Sequence, residues 1–86
     1  MVGIMRECDL HGLKFEDGRQ KIIRILNDCV MKNEDTVHII HGYHGHTFKD
    51  YIRSAEFIED MECEGIYVVK RCSTSNPGVT EITIEL

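Results

Sequence analysis

The chain has 86 residues, enough for one small domain (1–86) with a two-layer core and too few for a second. Its composition, 42% apolar and 29% charged, is that of an ordinary folded soluble protein, and its formal net charge of −5 excludes a nucleic-acid binder of the strongly basic kind while leaving room for a local basic strip. No apolar run approaches the roughly 18 residues of a membrane span and the opening MVGIMRECDLHGLKF lacks a signal-peptide core, so a cytoplasmic address and no membrane partner are expected.

Ile4–Leu10 reads as a strand with Arg6, Cys8 and Leu10 on one face and Met5, Glu7, Asp9 and His11 on the other. The period then changes. From Glu16 to about Met31, Ile22, Ile23, Leu26, Cys29 and Val30 fall on one helical face, with Glu16 and Asp17 well placed against the helix dipole. Gly18 costs that helix about 1 kcal/mol relative to Ala, which marks its start as the weak end. Lys32, Asn33, Glu34 and Asp35 form the exit turn, and Thr36–Ile40, short and β-branched, suits a strand buried on both faces. After the loop Tyr43-His44-Gly45-His46, Thr47-x-x-Asp50 resembles a capping box that opens a second helix, whose core stripe is Phe48, Tyr51, Ile52, Ala55, Ile58 and Met61. The acidic run Glu56, Glu59, Asp60, Glu62 and Glu64 reads as a solvated face. Gly65–Lys70 reads as a third strand, residues 73–78 as a loop, and Thr80–Leu86 alternates with Ile82, Ile84 and Leu86 inward. Cys8, Cys29, Cys63 and Cys72 form no C-x-x-C pair and are expected as free thiols.

The dipeptides His11-Gly12 and His41-Gly42 each close an apolar run and open a segment of helical period. Such a turn places an imidazole at the carboxyl end of a strand and bares backbone N–H groups at the positive end of a helix dipole. Joined by one right-handed crossover helix, both histidines reach the same edge of the sheet, where open α/β sheets hold ligands. Lys14 lies beside the first turn, and Lys49 and Arg53 lie one helical turn apart beyond the second.

Asp9-Leu10-His11-Gly12, Ile39-Ile40-His41-Gly42 and Asn76-Pro77-Gly78-Val79-Thr80 together resemble the three motifs of the small MutS-related (Smr) domain, over about residues 8–86. The resemblance implies an α/β two-layer sandwich of order β-α-β-α-β-β: a four-stranded mixed sheet with two helices, similar to the C-terminal domain of bacterial translation initiation factor three. It also implies binding of DNA or RNA and, in several members, nicking or RNA-cleaving endonuclease activity. By position, Asp9 and His11 match the acidic residue and histidine of the first motif, His41 and Gly42 the start of the second, and Lys49 its following basic residue. This chain departs from the usual His-Gly-x-Gly-x-Gly at His44, Gly45 and His46, carries Lys14 where Thr or Ser is frequent, and Gly18 where Ala is frequent.

Phosphodiester cleavage needs a base, an acid and donors for charge building on the phosphoryl oxygens. His11 and His41 are candidates for the first two near neutral pH, Lys49 with the Gly42 and Gly45 amides for the third. Asp9 is placed to orient an imidazole or to hold a divalent cation such as Mg²⁺ through water. Gly12, Lys14, Gly42, Tyr43, His44, Gly45, His46, Lys49, Arg53, Asn76 and Gly78 are the expected nucleic-acid contacts, in a binding mode that is weak and salt-sensitive. Two rivals stand beside this reading. One is a non-catalytic interaction module that holds a partner protein or a small anionic ligand; the other is a metal-binding protein in which His41, His44 and His46, with Cys8 or His11, ligate zinc.

Overall fold

The computed structural model describes residues 6–42 and 46–86. Ile4 and Met5 of the expected first strand, and Tyr43, His44 and Gly45 of the histidine loop, lie outside the described residues. The chain order is β1 (Arg6–Asp9), α1 (Phe15–Met31), β2 (Thr36–Ile40), α2 (His46–Arg53), α3 (Ala55–Cys63), β3 (Val68–Ser73) and β4 (Val79–Ile84). The four strands form one mixed sheet in the order β1-β2-β4-β3. β1 and β2 run parallel with Asp9 opposite Ile40, while β4 lies antiparallel to both β2 and β3. This is the expected two-layer α/β architecture, with three helices where two were expected.

The helices cover one face of the sheet. Cys8, Val37, Ile39, Ile82 and Ile84 meet Ile22, Ile23, Leu26 and Cys29 of α1 in a core completed by Phe48, Ile52, Phe57 and Met61. The other face carries Glu7, Asp9, His38 and Glu81, and His38 Nε2 lies 3.0 Å from Glu81 Oε1. β2 is therefore not buried on both faces as expected: Val37 and Ile39 are buried while Thr36, His38 and Ile40 between them are half-exposed. A one-sided helical layer asks only for alternation.

Lys14 precedes α1 and makes no side-chain cap hydrogen bond. Gly18 has a packing reason: a Cβ there would overlap the ring of Phe48. The exit is a hydrogen-bonded turn with Asn33 at φ 59° and Glu34 N–H donating to Cys29 O at 2.8 Å. Val30, expected in the core stripe, is 41% exposed, one residue from the end of α1.

The expected single second helix is broken at Ser54. Its hydroxyl donates to Tyr51 O at 2.6 Å and accepts from Phe57 N–H at 3.2 Å, which makes it the N-cap of α3. The break rotates the apolar stripe. Phe57 is fully buried, Ala55 is exposed, and Ile58 is half-buried. α2 begins at His46, so Thr47 is a helical residue and not the expected cap. α3 ends in a Schellman turn, with Gly65 N–H donating to Glu62 O at 2.9 Å and Ile66 N–H to Met61 O at 2.8 Å. Residues 65–67 thus belong to the helix exit, and β3 starts at Val68 instead of Gly65 and continues to Ser73. β4 ends at Ile84, leaving Leu86 54% exposed and not inward.

Candidate functional site

The first His-Gly turn is shaped by Asp9. The pairing of β1 with β2 extends one step further through Leu10 N–H to Ile40 O at 3.0 Å, and the chain then turns, with Leu13 N–H on Leu10 O at 3.1 Å and Gly12 at φ 75°. The Asp9 carboxylate accepts from the backbone N–H of His11 at 2.9 Å, fixing the turn and not an imidazole. Lys21 reaches across from α1 to donate to Asp9 O at 2.7 Å. His11 itself is exposed.

The second turn is held by the third motif. His41 N–H and Gly42 N–H both donate to Gly78 O, at 2.9 and 3.0 Å. Gly78 in turn lies so close that a Cβ on it would stand 3.3 Å from the Gly42 backbone and from Asn76 Oδ1. Asn76 Oδ1 accepts from Gly78 N–H at 2.9 Å, and Thr74 Oγ1 donates to Asn76 O at 2.9 Å, so the turn is locked from within. Of the expected ligand contacts, Gly78 holds His41-Gly42 through its carbonyl, and Asn76 holds Gly78.

Identical dipeptides end in different environments. His41 continues the inward alternation of Val37 and Ile39 and is 6% exposed, whereas His11 continues the outward alternation of Glu7 and Asp9. The structure therefore brings both histidines to one sheet edge but gives their side chains different surroundings. The His41 ring has partners at both nitrogens, with Nδ1 3.1 Å from Gly42 O and Nε2 2.8 Å from Thr80 Oγ1. A carbonyl only accepts, so Nδ1 carries the proton and the neutral ring receives the Thr80 hydroxyl at Nε2. Burial pushes the His41 pKa below its ordinary value, the charges of Lys49 and Arg53 add to the depression, and the Gly42 carbonyl opposes it. At neutral pH this imidazole is uncharged.

Lys49, half-buried on α2, and Arg53, exposed at its end, thus stand near enough to His41 for their charges to act on it. Arg53 Nη2 donates to Ser73 Oγ at 2.8 Å, and Arg71 Nη1 donates to Ile52 O and Ser54 O at 2.8 and 3.0 Å. Together with Cys72, Ser73 and Thr80 these two arginines line a cavity of about 250 Å³. Arg71 and Ser73 were not singled out because the third strand was read as ending at Lys70, and Thr80 because it was read as the start of the last strand. The alternation of Arg71 and Ser73 along β3 is the signal that would have found them. Lys14 and His46 are exposed at the starts of α1 and α2.

Among the described residues no group of three His, Cys, Asp or Glu side chains could hold a metal ion. His44 lies outside them, and both His41 nitrogens are already engaged. The four thiols are unpaired, and burial pushes Cys8 up to about 11. No helix of the described residues is long and apolar enough to cross a membrane.

Three motif turns that meet at the carboxyl edge of a parallel strand pair, on a small two-layer α/β sheet, define the class. The family model of the Smr domain matches residues 8–70, and the chain belongs to that family. The fold matches the crystal structure of the Smr domain of Thermus thermophilus MutS2 with a TM-score of 0.78, covering 95% of this chain and 100% of that one at 19% identity. Among curated protein sequences none matches the chain. The Asn76–Thr80 segment lies beyond the matched residues, and its bonds to His41 and Gly42 give it a structural place in the same motif set.

Proposed function

We propose that this Smr domain binds DNA or RNA along the edge formed by the His11-Gly12 and His41-Gly42 turns and the start of α2. The observation that carries the proposal is the placement of Lys49 and Arg53 on α2, the helix that follows the second motif turn, in a chain of net charge −5 whose family motifs converge on that edge. Positive charge set locally against an acidic background is the footprint of a phosphate-binding strip. Gly12, Lys14, Gly42 and His46 extend the strip along the same turns, and Tyr43, His44 and Gly45 are proposed as contacts from their place in the second motif alone.

Hydrolysis of a phosphodiester is the finer part of the proposal, with roles that follow the geometry. His11, exposed at the edge, is the group placed to exchange a proton with a bound phosphodiester. Asp9 fixes the His11 turn through its 2.9 Å bond. His41, neutral and bonded on both sides, positions the Gly42 backbone and the Thr80 hydroxyl. Where a divalent cation takes part, the Asp9 carboxylate would be its ligand from the protein, and the cation would neutralise phosphate charge.

The test is a cleavage and binding series on supercoiled DNA, single-stranded DNA and structured RNA, with and without Mg²⁺. Wild type is expected to bind and to cut at least one of them, with His11→Ala losing cleavage while keeping binding. Full cleavage by both Asp9→Asn and His11→Ala would overturn the hydrolytic assignment, and absence of binding to all substrates would overturn the whole reading.

A further inference from the structure

We infer that the cavity between α2 and β3 is a phosphate-binding pocket in which Arg53, Arg71 and Ser73 hold a phosphate group beside the second motif turn. The fold builds it from distant parts of the chain. Arg71 pairs with Ile82 and Ser73 with Thr80, so both side chains leave the helix-covered face of the edge strand β3, where α2 ends in Arg53.

The first argument is charge. The ion pairs among the described residues use Arg6, Arg19, Lys32 and His38, and no carboxylate pairs with Arg53 or Arg71. Two guanidinium groups are brought to one cavity of about 250 Å³ in a protein with 15 acidic residues, and only neutral oxygens hold them. Like charges gathered without a counter-ion repel, and an anion between them removes the repulsion.

The second argument is donor inventory. Arg71 spends Nη1 on the Ile52 and Ser54 carbonyls, which leaves Nε and Nη2. Arg53 spends Nη2 on Ser73 Oγ, which leaves Nε and Nη1, and Ser73, accepting that bond, keeps its own O–H to donate. Two planar forks and a hydroxyl suit the several oxygens of a tetrahedral phosphate better than the two of a carboxylate. Thr80 forms the inner wall, and its hydroxyl is the one 2.8 Å from His41 Nε2. A phosphate in the pocket therefore lies one hydrogen-bonded side chain away from the candidate edge. The pocket depends on the nucleic-acid reading only for what carries the phosphate: an internal diester or a terminal monoester.

The experiment titrates isotope-labelled protein with inorganic phosphate, with acetate as control, and measures binding of single-stranded oligonucleotides with and without a 5′-phosphate. Arg53→Gln is the main variant, because Arg53 makes one hydrogen bond to a surface hydroxyl and supports no buried carbonyl; Ser73→Ala is the second. Phosphate but not acetate is expected to shift the amide signals of Arg53, Arg71 and Ser73, and Arg53→Gln to weaken phosphate binding about tenfold. Tighter binding of the 5′-phosphorylated strand assigns a terminal phosphate, and equal binding that Arg53→Gln weakens for both strands assigns an internal one; both support the pocket. Phosphate shifts without binding of any oligonucleotide keep the pocket and remove the nucleic-acid reading. Oligonucleotide binding unchanged by either substitution, with no phosphate shifts, overturns the pocket and leaves that reading standing.

Discussion

The imidazole Nε2 of His41 and the hydroxyl Oγ1 of Thr80 stand 2.8 Å apart in a buried hydrogen bond that ties the second motif turn to the strand after the third motif. Thr80→Val keeps the shape and removes the donor, leaving a buried ring nitrogen unsatisfied. A loss of about 1–3 kcal/mol is expected in urea unfolding. A loss within error would show that the bond does not hold the turn.

His41 also sets a pH window. Its folded-state pKa lies below the ordinary 6.5 of the unfolded chain, so between the two values the unfolded state binds more protons. The stability it contributes is complete above about pH 6.5 and is lost as pH falls through the folded-state value. Urea midpoints measured from pH 7.5 down to 5.5 are expected to fall in wild type and to flatten in His41→Gln. The carboxylates held low by arginine, Asp28 by Arg6 and Glu16 by Arg19, act in a more acidic range and do not mask the window.

Gly18→Ala improves helix propensity by about 1 kcal/mol, yet its methyl would overlap the Phe48 ring, which stacks on Phe15 with centroids 5.9 Å apart. Overpacking of this kind costs about 1–3 kcal/mol, so the substitution is expected to lower the melting temperature. In a Phe48→Leu background the same change is expected to be neutral or stabilising. Additive effects of the two substitutions would show that the ring is not what excludes the side chain.

Ser54→Ala removes the cap of α3 and is expected to cost about 1 kcal/mol in chemical denaturation. Ser54→Thr and Ser54→Asp retain an acceptor for Phe57 N–H and are expected to restore most of it. Equal losses in all three would place the contribution elsewhere.

What the sequence made legible is what short-range pattern carries. The alternation of Cys8 and Leu10, the helical stripe Ile22, Ile23, Leu26 and Cys29, and the two His-Gly turns fall where periodicity put them, and the parallel pairing of β1 and β2 follows from the crossover rule. The break at Ser54 was hidden because Ala55 and Ile58 continue the spacing of Ile52, and only the bond to Phe57 N–H reveals a cap. Gly65 was visible as a helix stop but was read as a strand start. Gly18 looked like a local weakness, since its reason lies in Phe48, thirty residues on. The contrast between exposed His11 and buried His41 depended on strand parity relative to the helical layer, and Arg71 and Ser73 entered the site only through the β3–β4 register.

The most direct measurement of the proposed edge is the salt dependence of oligonucleotide binding for wild type, Lys49→Ala and Lys32→Ala. Lys49 lies on α2, the helix after the second motif turn, whereas Lys32 caps the far end of α1 and pairs with Asp28 at 3.3 Å. Each lost phosphate contact lowers the slope of log affinity against log salt by up to about one. Lys49→Ala is expected to weaken binding and flatten that slope, with Lys32→Ala indistinguishable from wild type. Equal losses for the two variants would mean diffuse attraction and would contradict a binding edge at the motif turns.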